Sequence, residues 1–124
     1  MPAPSPAPSP VPSPAREALA GLARLAPALR EASGGNLLEC FEAVPDPRDR
    51  RGTRHPLAAV LALCTAALLS GNTLLEDVTA WVAHAPQRVL AACRARRAPS
   101  GARVAPCPDT VTRVLGRLGA QGLA

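Results

Sequence analysis

The sequence predicts an all-α protein: a small bundle of about four to five helices behind a disordered, proline-rich N-terminal tail. Three observations carry this. Apolar residues recur at three- and four-residue spacings in successive segments. One stretch, Leu57 to Leu69, is apolar on every side, the pattern of a helix buried all round. Ser, Asn, Thr and Pro stand at the starts of these segments, and Gly or Pro at their ends. With 124 residues there is room for one domain.

Residues 2–15, PAPSPAPSPVPSPA, are of low complexity. Proline at nearly every second position removes backbone donors and favours an extended left-handed helix, which would reach roughly 40 Å at about 3.1 Å per residue. Residues 1–15 therefore read as a solvated tail. Residues 16–35 read as a helical extension and glycine linker. Ser13 can cap this helix, Pro14 suits its first turn, and Leu19, Leu22, Leu25 and Leu29 line one side. Pro27 should kink or end it, and Gly34-Gly35 breaks the chain. Whether it docks or hangs free is not decided by its residues.

Residues 36–124 read as the folded helical domain. Asn36 is placed to cap a short helix from Leu37 to Ala43, with Glu39 three residues on, and Pro45 and Pro47 close it. The turn 45–55, PDPRDRRGTRH, sets Arg48, Arg50, Arg51 and Arg54 against Asp46 and Asp49. It is either a phosphate-contacting loop or a solvated turn with local ion pairing.

Pro56 opens the apolar helix, which runs to about Ser70. Its apolar run, Leu57 to Leu69, is shorter than the roughly 20 residues needed to span a bilayer, so it predicts a central core helix and no membrane partner. Gly71 suits the turn after it. Thr73-Leu74-Leu75-Glu76 predicts a capping box with Thr73 as N-cap. Leu74, Val78, Trp81 and Val82 form the buried stripe of the next helix, with Trp81 a core anchor. Asp77 complements the positive end of its dipole. Pro86 starts another helix with Val89, Leu90 and Cys93 inward. Arg88, Arg94, Arg96 and Arg97 lie on or beyond its other faces, with no acidic residue between Ala83 and Pro108. The loop 98–108 leads to a last helix from about Asp109. There Val111, Val114, Leu115 and Leu118 face inward, Arg113 and Arg117 project elsewhere, and Gly119 and Gly122 end it.

The net charge is +5 and all fourteen basic residues are Arg, with no Lys. With the many Ala, Pro and Gly residues this suggests a GC-rich coding sequence, whose codon bias would favour Arg, yet a pI of about 10.2 permits attraction to nucleic acid, where Arg pairs with phosphate in a forked geometry. The four cysteines, Cys40, Cys64, Cys93 and Cys107, form no C-x-x-C pair, and His55 and His84 do not stand at zinc-finger spacing from them. Cys64 and Cys93 fall on apolar faces, as reduced buried thiols do. No catalytic residues, metal ligands, cofactor or small-molecule substrate are expected. The N-terminus carries no basic segment followed by an apolar run, so no signal peptide is read and a reducing cytoplasm is expected.

The order of motifs resembles the N-terminal associated region of H-repeat-associated insertion-sequence transposases, whose catalytic domain uses a DDE carboxylate triad. Leu37, Leu38 and Phe41 precede a V-P-D-P-R turn at Val44 to Arg48. R-G-x-R-H-x-L from Arg51 to Leu57 enters the apolar helix, which ends Leu-Leu-Ser-Gly at Leu68 to Gly71, and Trp81 lies on the helix after it. P-x-x-D-T-x-x-R-V spans Pro106 to Val114. The resemblance covers residues 36–118. Cys107 stands where the family commonly has Ser, and Val111 where it commonly has an aromatic residue.

The resemblance implies a non-catalytic domain contributing to DNA binding or transposase assembly. The first catalytic Asp of the family lies in a D-G-K segment that is absent here, so a truncated product is implied. Arg48, Arg50, Arg51, Arg54, Arg94, Arg96, Arg97, Arg113 and Arg117 are the candidate phosphate contacts. The rival expectations are an interaction module that packs against the catalytic domain or a second copy, and an inactive remnant without DNA affinity.

Overall fold

The computed structural model describes residues 13–32, 37–42 and 55–120. The proline-rich tail to residue 12, the Asn36 cap and the turn carrying Arg48, Arg50, Arg51 and Arg54 lie outside them. The described residues form six helices: α1 (Pro14–Ala32), α2 (Leu37–Glu42), α3 (Leu57–Leu69), α4 (Leu75–Ala83), α5 (Gln87–Ala92) and α6 (Pro108–Ala120). The five expected within residues 36–124 are α2 to α6, and α1 is the expected extension. Among the described residues the only β pairing is an isolated antiparallel bridge between Arg97 and Arg103.

The centre is α3. It has no charged residue, and nine of its thirteen residues are buried. Its one buried hydroxyl, Thr65, donates to the Leu61 carbonyl at 2.8 Å and so is not left without a partner. Helices α1, α2, α4 and α6 all pack against it. The helix stops as its sequence predicts. Gly71 takes a φ of 104°, which L side chains avoid. Its amide donates to Leu68 and the Asn72 amide to Ala67, at 3.0 and 3.2 Å, the paired bonds of a left-handed C-cap. The Asn72 side chain adds a bond to the same Ala67 carbonyl at 3.0 Å.

Entry into α4 departs from expectation. Thr73 is exposed and the N-cap is Leu74, with no side-chain capping bond, so the Thr73–Glu76 box does not form. The reason is packing: Leu75 is buried at 8 % exposure whereas Leu74 is 57 % exposed. Leu75, Val78 and Val82 make the i, i+3, i+7 line against the core. Glu76, freed from capping, pairs with Arg16 of α1. Trp81 is half-buried at the core's edge rather than enclosed.

The α1 helix runs unbroken through Pro27. Pro27 and Ala23, whose carbonyl loses its amide partner there, are both exposed, so water can meet that carbonyl. The inward line is Ala15, Ala18, Leu19, Leu22 and Ala26, while Leu25 is 51 % exposed. Small residues on this line let α1 lie close along α6, the most extensive helix pairing among the described residues. This docks α1 and resolves the choice its residues left open.

On α6, Val111, Val114, Leu115 and Leu118 are buried as the spacing predicts. Gly119, expected to end the helix, lies inside it. A Cβ there would sit 2.0 Å from the Pro14 carbonyl oxygen and 2.6 Å from its carbon, so this glycine permits the crossing of α6 over the start of α1. Gly116 on the same helix has nothing within 4 Å of such a Cβ.

Just past the C-cap Cys93 of α5, Arg94 takes the left-handed C′ position that glycine usually fills, with a φ of 53°. The Arg94 and Ala95 amides donate to Ala91 and Leu90 at 3.0 and 2.9 Å, and Ala95 is buried by the turn. A left-handed non-glycine residue costs about 1–2 kcal/mol.

Three substitutions separate these backbone effects in thermal unfolding. Gly116→Ala should stabilise by about 1 kcal/mol through helix propensity. Gly119→Ala, the same exchange three residues on, should destabilise by roughly 1–3 kcal/mol through overpacking. Arg94→Gly should stabilise by about 0.5–1 kcal/mol, the left-handed cost less the entropy glycine gains when unfolded.

Candidate nucleic-acid interface

Nucleic-acid phosphate is met by cations held outside the core without local carboxylates to neutralise them. The stretch 85–107 contains five arginines and no acidic residue. Its first part, α5, buries only Leu90, with Val89 and Cys93 packed against the core, and Arg88 is exposed. Beyond the Arg94 turn the chain, read at sequence level as a plain loop, doubles back on itself. The Ala98 amide donates to Ala102 at 2.8 Å and the Val104 amide to Arg96 at 2.7 Å. Gly101, with a φ of 91°, makes the reversal between them.

Gln87 of α5 braces this reversal from the side. Its Nε2 donates to the Arg103 carbonyl and its Oε1 accepts from the Arg103 amide, both at 2.8 Å. The Arg103 guanidinium in turn donates to the Ala95 carbonyl at 2.8 Å. Sequence reasoning did not single out Arg103. The signal available to it was the charge alone, because its position beside Arg97 comes from the fold.

The structure divides the candidate phosphate contacts into two groups. Arg94 and Arg97 are exposed and Arg96 half-buried, all at the α5 end of the reversal. Arg113 and Arg117 are exposed one turn apart on the outer face of α6. No hydrogen bond or ion pair joins the two groups among the described residues, and Arg48, Arg50, Arg51 and Arg54 fall outside them.

Local carboxylates discount some of these cations. Arg113 pairs with Asp109 one turn back at 2.6 Å, and Arg94 with Glu42 of α2 at 3.4 Å. Among the described residues no carboxylate reaches Arg96, Arg97, Arg103 or Arg117. The Arg16 guanidinium bonded to Glu76 holds that carboxyl below its usual range. This pair ties α1 to α4, and because the pKa is lowered its contribution is present above the usual carboxylate range and lost as pH falls through the lowered value. It is exposed and therefore weak.

No helix among the described residues is long and apolar enough to cross a membrane. A family model described as DDE_Tnp_1-associated matches residues 38–124. No curated protein and no solved structure matches the chain.

Of the three thiols the structure describes, Cys107 is the one placed for reaction. It precedes α6, and its sulfur lies 3.2 Å from the Thr110 hydroxyl. That hydroxyl bond, with the Thr110 and Asp109 amides, holds the thiol pKa below its ordinary value. Burial pushes Cys93 up, and Cys64, inside α3, up to about 12. Iodoacetamide at pH ~8 should therefore label Cys107 first, Cys93 more slowly, and Cys64 only on unfolding, as read by peptide mass mapping. Thr110→Val should slow the labelling of Cys107.

Proposed function

Because the chain belongs to the DDE_Tnp_1-associated family, we propose that it is a non-catalytic accessory domain of a DDE transposase-like protein, contributing to DNA binding in transposition. The family is the region associated with the catalytic domain, not that domain itself. We take residues 36–124 as the transposase-associated unit and α1 as an extension docked on it, acting with its DNA in the cytoplasm. DDE chemistry needs carboxylates gathered around divalent metal. Glu42, Glu76 and Asp109 are instead engaged by arginines, and Asp77 lies in the first turn of α4. No step of the phosphoryl transfer is assigned to these four residues.

The observation that carries the DNA reading is the acid-free stretch 85–107, which holds exposed arginines on a braced turn. Contacts of this kind go to phosphate and orient a protein on a duplex without reading its bases. The fifteen residues 93–107 between α5 and α6 are far longer than the ~3–4-residue turn of a helix-turn-helix, so no base readout is proposed.

A second reading, an assembly module, is favoured by Leu69 and Leu74, which flank the α3–α4 turn at 36 and 57 % exposure. Large apolar side chains exposed on both sides of one turn suit a protein contact.

Fluorescence anisotropy of the full chain with a labelled duplex separates the two. About four phosphate contacts give a salt slope near −3.6, so raising salt from about 50 to 200 mM should weaken binding roughly a hundredfold. A helical protein that does not bind at about 50 mM salt would overturn the DNA reading. Self-association measured by light scattering would then support assembly.

A further inference from the structure

Two local features of residues 94–103 run against stability, and both gather positive charge. Arg94 occupies a left-handed position at the end of α5 that glycine would fill without strain. Arg97 and Arg103 face each other across the isolated bridge. The bonds flanking that bridge, Val104 to Arg96 and Ala98 to Ala102, make them a non-hydrogen-bonded pair, the register in which cross-strand side chains approach closest. Like charges so placed repel. The turn nevertheless holds, because Gln87 grips the Arg103 backbone on both sides and the Arg103 guanidinium holds the Ala95 carbonyl. Strain kept in place by surrounding structure is a mark of a functional surface.

Among the described residues one acidic group is paired with this cluster. Glu42, at the end of α2, lies 3.4 Å from the Arg94 guanidinium, and the two side chains are 47 and 72 % exposed. Such a pair is loose and exchangeable. A phosphate oxygen meets a guanidinium as a carboxylate does.

Resting on the DNA-binding proposal above, we propose that the braced turn 94–103 is the surface that grips the duplex backbone, with Arg94 and Arg97 on phosphates and Glu42 as an internal counter-ion that DNA displaces. Arg96 and Arg103 raise the local potential without leaving the turn. Of about four phosphate contacts in all, this surface takes two neighbouring ones on one strand, and it reads no base. Glu42 sets its affinity by competing for Arg94, so DNA binding is coupled to the end of α2.

The test is anisotropy with the full chain and a labelled duplex over a salt series, on variants whose helicity and melting are checked first. Arg94→Gly preserves the turn while removing the cation, so a loss of affinity in that variant cannot come from a broken fold. Arg94→Gly and Arg97→Ala should each weaken binding about tenfold at about 50 mM salt and lower the salt slope by about 1. Glu42→Gln should tighten binding about two- to fivefold. Arg24→Ala, an equal loss of charge on the exposed side of α1, should change little.

If the wild-type chain does not bind, the DNA reading and this surface fall together. If it binds and Arg94→Gly and Arg97→Ala behave like Arg24→Ala, this surface is overturned while the DNA reading stands. Should those two variants lose affinity while Glu42→Gln gains none, the counter-ion role is overturned.

Discussion

The helix α3 sets the problem that the rest of the structure solves. Thirteen residues without a charge cannot present a side to water at low cost, and four helices cover α3 so that only Leu69, at its C-terminal end, is exposed. A short chain buries a smaller share of its surface than a long one, so each covering helix contributes a large part of the core. Helix α6 brings Val111, Val114, Leu115 and Leu118, and α4 brings Leu75, Val78 and Val82. The α1–α6 pairing completes the enclosure, and it depends on Gly119 admitting the Pro14 carbonyl.

The family match begins at residue 38, yet the core of this chain also draws on Ala15, Ala18, Leu19, Leu22 and Ala26. The segment upstream of the match is thus a structural partner of the matched region. Its grip is apolar along α6, and among the described residues an exposed ion pair joins Arg16 to Glu76 at the α4 side. Exposed pairs add little, so it is the packing of small residues that holds α1 in place.

Around the core, many local choices agree with the fold: Gly71 at its turn, Pro56 and Pro86 ahead of their helices, Thr65 bonded within α3. The turn 94–103 goes against them. There an arginine stands in a glycine conformation and two arginines oppose each other, with a glutamine side chain holding the backbone between them. Sequences agree with their structures across levels except where another requirement intervenes. Positive charge gathered on one rigid surface is a requirement of that kind.

The sequence by itself determined the helical class, the central place of α3 and the inward face of α6. Periodicity and an uncharged run leave the chain few other ways to remove that surface from water. It also showed the family, through the order of its turns and apolar runs. What only the tertiary structure decided were the features whose partners lie far along the chain. Glu76 is not a cap, because burying Leu75 shifts the start of α4 and Arg16 is there to receive the carboxylate. Pro27 does not end α1, because the Ala23 carbonyl it leaves unpaired lies on the exposed side of the helix. Gly119 does not stop α6, because Pro14 passes over it. The arginines after α5 form one surface because a Gln87 brace invisible to any local pattern closes their turn. Local patterns report what a segment can do alone, and contacts between distant segments decide which of those options is realised.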